Sequence, residues 1–191
     1  MAINLKKGQK ISLKKRFGTG LSKVGIGMGW DAVKKKGFFG FASKNTIELD
    51  ASCAMFDENK NVVDIIWFKQ LKSKDGSIVH TGHNRKKNGN DEQILVDLAR
   101  VPATVKSLVF TVNSFQGQTF NEIENAYCRL VDSFGNGGEL VKYSSSGGGS
   151  HNAQIMAKIY HYSGEWKMHA IGEPANGRTL QDIIPAAVAS L

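Results

Sequence analysis

Cysteine is nearly absent: Cys53 and Cys128 are the two in 191 residues. Both lie in apolar, strand-like runs, where buried free thiols are common, and two cysteines in a chain of this size build no disulfide framework. No run approaches the roughly 18 apolar residues that span a bilayer, so no transmembrane segment is expected. The opening stretch MAINLKKGQKISL lacks the apolar centre of a secretory signal, and a cytoplasmic protein is the expectation. Catalytic signatures are missing too: there is no HExxH, no CxxC pair and no serine elbow, which removes common zinc and nucleophile frameworks. Gly25-Ile26-Gly27-Met28-Gly29 does not match GxxxxGK(S/T) and opens no helix, so it offers no phosphate-binding loop for nucleotide hydrolysis. His80, His83, His151, His161 and His169 could act as a base or zinc site only beside suitably placed carboxylates. Lone histidines in strands are ordinarily packing or surface residues, and no enzyme is expected.

What is present is positive charge. The net charge is +8, with hydrophobic residues at 41% and charged residues at 22%, an ordinary globular composition and not a disordered one. The length suits one domain over residues 1–191. The charge favours anionic partners such as nucleic acid or an acidic membrane surface, at least by non-specific attraction. Lys34, Lys35 and Lys36 with Phe38 and Phe39, joined by Lys14, Lys15, Arg16 and Phe41, form basic segments carrying aromatics that could stack bases or touch anionic lipid. The plainer alternative is a solvated loop with partly buried phenylalanines.

Along the chain, short strands alternate with turns. Ile3–Leu5 and Lys10–Leu13 are separated by Gly8, and Val24–Trp30 carries glycine at every other residue. Successive side chains alternate faces, so one face of that strand bears Val24, Ile26, Met28 and Trp30 while the other is nearly bare and open to close approach. Thr46–Phe56 places Ile47, Leu49, Ala51, Cys53 and Met55 on one face. Glu48, Asp50, Ser52, Ala54 and Phe56 share the other, which reads as solvent-facing unless a cation separates the two acids. Val62–Lys69 follows, then a turn at Lys74-Asp75-Gly76. Ser107–Asn113 reads as a strand buried on both faces. Ala126–Asp132 and Glu139–Tyr143 come next, and Ser144–Ser150 reads as a flexible connector. Ile155–Tyr162 and Trp166–Ile171 form a hairpin across Ser163-Gly164. Arg178–Leu191 has helical spacing with Thr179 as its cap and an awkward Pro185 that would kink or split it. About ten strands with one short C-terminal helix predict an all-β, antiparallel β-sandwich; a βαβ arrangement would need repeated helices.

The stretch Ser77–Leu98 joins two strand-like runs, Ser77–His80 and Glu92–Leu98, through a polar connection longer than a hairpin requires. Hard cations take oxygen ligands from carboxylates, Asn side chains and carbonyls, and Asn84, Asn88, Asn90, Asp91 and Glu92 could supply them. Arg85, Lys86 and Lys87 in the same stretch oppose a divalent ion.

With the strands placed, an ordered series of motifs appears: Gly27-Met28-Gly29-Trp30-Asp31, Leu49-Asp50-Ala51-Ser52, Val79-His80-Thr81-Gly82, Asn90-Asp91-Glu92, Val109-Phe110-Thr111-Val112-Asn113-Ser114-Phe115, Glu124-Asn125-Ala126-Tyr127-Cys128-Arg129 and Gly164-Glu165-Trp166. This series resembles the TerD family of bacterial tellurium-resistance and stress proteins, and most of all its TerZ branch, over nearly the whole chain. The resemblance implies two packed antiparallel sheets, no catalytic activity, and calcium held by acidic loops at one end. The positions that match the family's calcium ligands are Asp31, Glu48, Asp50, Asn84, Asp91 and Glu92. The family's acidic run is here shortened and turned into Arg85-Lys86-Lys87-Asn88-Gly89-Asn90, and affinity depends on ligand charge count. One site is therefore expected to be lost or weak and one to survive in reduced form, built from Asp50, Asn84, Asp91 and Glu92. In the alternative without metal, Lys86 or Lys87 pairs directly with Asp50 or Asp91. The implied partners are other proteins of the tellurium-resistance and stress system, with nucleic acid or an anionic surface as the second class.

Overall fold

The structure, a computed structural model, describes residues 2–14, 21–33, 47–83, 92–133 and 138–191. Twelve strands form two six-stranded sheets. The first sheet runs β1 (Ile3–Leu5), β10 (Glu139–Ser146), β9 (Ile123–Asp132), β3 (Lys23–Ala32), β7 (Glu92–Asp97), β6 (Ile78–His83). The second runs β2 (Lys10–Ser12), β12 (Glu165–Ala175), β11 (Ala153–Tyr162), β8 (Val105–Asn113), β4 (Asp50–Asp57), β5 (Val62–Ile66). Among the described strands all pairings are antiparallel except one: β1 lies parallel to β10, with Ile3 opposite Val141. Two residues of a hairpin cannot join parallel neighbours, and here the partners lie more than 130 residues apart in the chain.

The main core lies between the sheets. Val24, Ile26 and Met28 of β3 meet Ala51, Cys53 and Met55 of β4 and Leu108 and Phe110 of β8 there, as their period-2 spacing predicts. Both cysteines are buried and free, and burial pushes the Cys128 thiol up to about 12, which leaves it protonated and unreactive.

The other face of β4 is not solvent-facing. A second apolar cluster covers it, in which Ala54, Phe56, Val109, Ile155 and Ile171 pack against Leu180, Ile183 and Ala187 of helix α1 (Leu180–Ala189). The helix starts where Thr179 meets Asp182, whose carboxylate accepts the Arg178 and Thr179 amides and the Thr179 hydroxyl at 2.9–3.1 Å. At its far end the Lys158 ammonium donates to the Ser190 carbonyl at 2.7 Å, where a cation complements the helix terminus. Pro185 lies inside the helix without splitting it.

The bare face of β3 is a surface of close approach, as expected: a Cβ at Gly29 would strike the Tyr127 ring, and one at Gly25 would meet Gln93 and Val131. Two other expectations are corrected. Ser144–Ser146 is not connector but the end of β10, paired with Tyr127, Ala126 and Asn125. The strand over Val62–Lys69 ends at Ile66, because Trp67 and Gln70 bond to each other in a tight turn. The hairpin at Ser163-Gly164 stands: both residues have positive φ, 51° and 75°, as a type I′ turn requires. Among the described residues no helix is long and apolar enough to cross a membrane.

Candidate functional site

The C-terminal ends of β3, β6 and β8 and the starts of β4, β7 and β9 gather at one end of the sandwich. There the pairing of β4 with β5 stops at Cys53 opposite Ile66, so two residues further on, at Ala51, β4 has no neighbour on that edge. A buried backbone amide or carbonyl without a partner is costly. Both are met by side chains from the other sheet. Glu92 Oε2 accepts the Ala51 amide at 2.7 Å, and His80 Nε2 lies 3.0 Å from the Ala51 carbonyl.

The imidazole is itself oriented. The Gly82 amide donates to His80 Nδ1 at 2.9 Å, so that nitrogen carries a lone pair and the proton sits on Nε2. Nε2–H then points between the Ala51 carbonyl and Glu92 Oε2, 3.2 Å away. Glu92 and His80 are 5% and 3% exposed. A carboxylate this deeply buried is held by directed donors, and here it links β7 to β4 across the two sheets.

Beside this tie opens a cleft of about 630 Å³, bordered by Glu48, Asp50, His80, Glu92, Phe68 and Leu71. Next to it, Trp30 donates from Nε1 to the Ile47 carbonyl at 2.8 Å, which holds the entry to β4 against β3. The rim is apolar and exposed: Phe68 is 42%, Leu71 46% and Phe115 52% exposed. The rings of Phe68 and Phe115 meet edge to face with centroids 6.1 Å apart. Lys69 lies over the Trp67 and Phe68 rings at 5.3 and 5.6 Å.

Two small constructions hold this rim. Asp64, 7% exposed, accepts the Ile65 amide, the Gln70 side chain and the Lys74 amide at 2.8–3.0 Å, closing the turn that carries Phe68. The Ser114 hydroxyl accepts the Gln118 amide at 3.0 Å, closing the loop that carries Phe115. Asp64→Ala should therefore cost about 2–3 kcal/mol, the penalty for buried donors left unpaired. It should also expose Trp67, read as a lower Tm with easier fluorescence quenching by acrylamide.

Of the residues read from the sequence as metal ligands, the structure brings Glu48, Asp50 and Glu92 to one cleft. Asp31 is not with them: it is exposed on β3, on the opposite side of the pleat from the buried Trp30. Asn84 and Asp91 fall outside the described residues, in the connection between β6 and β7. Among the described residues no three of His, Cys, Asp and Glu come close enough to hold an ion. The oxygens present suit a hard cation, and the connection would have to complete the set. Lys34, Lys35, Lys36, Phe38 and Phe39 also lie outside the described residues.

Sequence reading missed His80 as a partner of this site, although a signal existed. His80 is in phase with the buried Ile78, and Glu92 is in phase with the buried Ile94 and Val96. A titratable group at a core position of a strand has to find a polar partner inside. Two other described histidines serve elsewhere: His151 stacks on Phe120 at 4.5 Å, and His161 meets the Trp166 ring edge at 5.2 Å.

Fold and cleft together define a β-sandwich whose two sheets are tied at one end by a buried carboxylate beside an acid-lined opening. The chain belongs to the TerD-domain family, matching that domain over residues 1–186. It is 43% identical over 185 residues to the tellurium resistance protein TerZ of Serratia marcescens, covering 95% of this chain and 94% of that one. It is 41% identical over 199 residues to the stress response protein SCP2 of Bacillus subtilis, covering 96% and 98% respectively. A solved homologue of the telluride resistance protein TerD from Streptomyces coelicolor shares the fold, with a TM-score of 0.63 at 17% identity over 86% of this chain and 96% of that one.

Proposed function

We propose that this TerD-family protein is a cytoplasmic, non-enzymatic binding module of the bacterial tellurium-resistance and stress response, in which a calcium ion bound at the acid-lined cleft fixes a surface for another protein of that system. The observation that carries this reading is the convergence of Glu48, Asp50 and Glu92 on one cleft directly beneath an exposed aromatic rim. Glu92 is already committed on one oxygen to Ala51. It would position the start of β7, and hence Asp91, more than it would supply ligand. Asp50 would bind the ion directly, and Asn84 and Asp91 would complete the oxygen set. An ion there would bind the β6–β7 connection to the start of β4, and Phe68, Leu71 and Phe115 would then be held in one presentation.

The test is a thermal melt of chelator-treated protein with calcium, and with magnesium as control. A ligand that binds only the folded state at a hundredfold excess over its Kd adds about 2.7 kcal/mol. At roughly 2–4 °C per kcal/mol for a chain of this size, that is a rise of about 5–11 °C. The rise should be lost in Asp50→Ala and Asp91→Ala and kept or enlarged in Lys86→Ala. A calcium-specific rise that survives both aspartate changes would place the site elsewhere. No rise in any form would favour loops held by lysine instead of metal.

A further inference from the structure

A different surface carries a second kind of chemistry. On the outer face of the second sheet, Lys10 of β2 stands directly opposite His169 of β12, and His169 stands directly opposite Lys158 of β11. Their alternate neighbours Ile11, Met168 and Ala157 pack in the core, so these three side chains share the outward face. Lys10 and Lys158 flank the His169 ring and repel across it, yet no acid is placed in the row. Among the described residues no carboxylate lies within ion-pair distance of Lys10, Lys60 or Lys158. The acids nearest in register are taken, Glu165 by Lys167 and Ser12, and Glu173 by Lys7.

The row is also unfinished in its hydrogen bonds. His169 Nδ1 is buried and has no partner among the described residues. Lys158 is 9% exposed, anchored to the Ser190 carbonyl by its ammonium. Burial, and then the neighbouring lysines, lower the pKa of Lys158 and of His169. Lys10 acts on both and Lys60 on Lys158, so the positive field is shared across the row.

We propose that this row, Lys10, His169 and Lys158 with Lys60 beside it, is a binding site for tetrahedral oxyanions of the phosphate type. An oxyanion would accept from the exposed Lys10 ammonium and from the solvent-facing edge of the protonated, half-buried His169 ring, and it would relieve the repulsion along the row. Charge-assisted bonds of this kind are the strong ones. The site does not depend on the acid-lined cleft and stands or falls separately.

The pH dependence follows from what surrounds His169. Facing it are Lys10 on β2, Lys158 and Tyr160 on β11, and Lys167 with Glu165 on its own strand. From the residue that follows helix α1 comes the Ser190 carbonyl, which holds the Lys158 ammonium. With its pKa lowered, His169 is neutral in the free protein at pH 7. A bound anion raises that pKa, so binding takes up a proton and weakens as pH rises through the bound-state value.

Sulfate does not titrate in this range and is the probe for the pH arm. Titrated into the full chain and followed by backbone-amide NMR, it should shift residues 10, 158 and 169 saturably, with tighter binding at pH 6 than at pH 8. Lys10→Ala should weaken binding roughly fivefold or more, about 1 kcal/mol for one charged contact, and keep the pH dependence. His169→Gln should remove the pH dependence. Inorganic phosphate and phosphatidylcholine vesicles containing phosphatidic acid then separate a free anion from a lipid headgroup, and loss of either binding in Lys10→Ala supports the site. Shifts that do not saturate, or affinities unchanged in Lys10→Ala and Lys60→Ala, would overturn it. The last two variants are exposed surface changes and keep the test valid if His169→Gln folds poorly.

Discussion

Glu92→Ala is expected to lower Tm by roughly 6–12 °C. Ala51 donates its amide to Glu92 and turns its carbonyl to His80 at a level where β4 has lost its β5 neighbour. Removing the carboxylate strands a buried amide, and His80 loses one of the two acceptors that Nε2–H faces. Losses of this kind cost about 3 kcal/mol, and a chain of this length changes Tm by roughly 2–4 °C per kcal/mol. Glu92→Gln keeps an oxygen for the Ala51 amide and should cost less than half as much. A melt of the two variants beside the parent protein checks this. Glu92→Ala within about 2 °C of the parent would show that water satisfies Ala51 and that the tie between the sheets contributes little.

Ile183→Ala is expected to cost about 2–5 kcal/mol, the usual range for truncating a large buried aliphatic chain. Ile183 is fully buried, and it packs with Leu180 and Ala187 over Ala54, Phe56, Val109 and Ile155. The same substitution logic at the exposed Gln181 should change stability by no more than about 0.5 kcal/mol. Because the helix covers the outside of β4 and β8, its loosening should also speed amide exchange in those strands ahead of β3 and β7. Equal melts for Ile183→Ala and Gln181→Ala would mean that the helix is not the cover of the second cluster.

The inner face of β4 was readable because its period-2 run of Ile47, Leu49, Ala51, Cys53 and Met55 faces a single core. Its outer face was not. Ala54 and Phe56 are buried under α1, which returns to them about 125 residues later in the chain, and a local pattern carries no information about so distant a cover. The glycine alternation in β3 was read correctly as a surface of close approach. What approaches is Tyr127 from the adjacent β9, a cross-strand pairing that spacing alone does not reveal.

The site divides in the same way. Glu48, Asp50 and Glu92 were picked out as acids and do meet at one cleft, whereas Asp31, chosen with them, is turned to the outer side of its sheet. The alternation that puts Trp30 in the core already implied that orientation. The aromatic rim could not be foreseen, because Phe68 and Phe115 lie 47 positions apart and are displayed by turns that Asp64 and Ser114 close.

The measurement that tests the account most directly is a calcium titration of the chelator-treated, isotope-labelled protein followed by backbone-amide NMR. A cation at the cleft should shift amides of Glu48–Ala51, His80–Gly82 and Glu92, and leave those of Asp57–Asn61 and Ala103–Lys106 unmoved, since these line a separate hollow. Calcium-dependent shifts confined to that second set, or none at millimolar calcium, would contradict a cation site where the two sheets are tied.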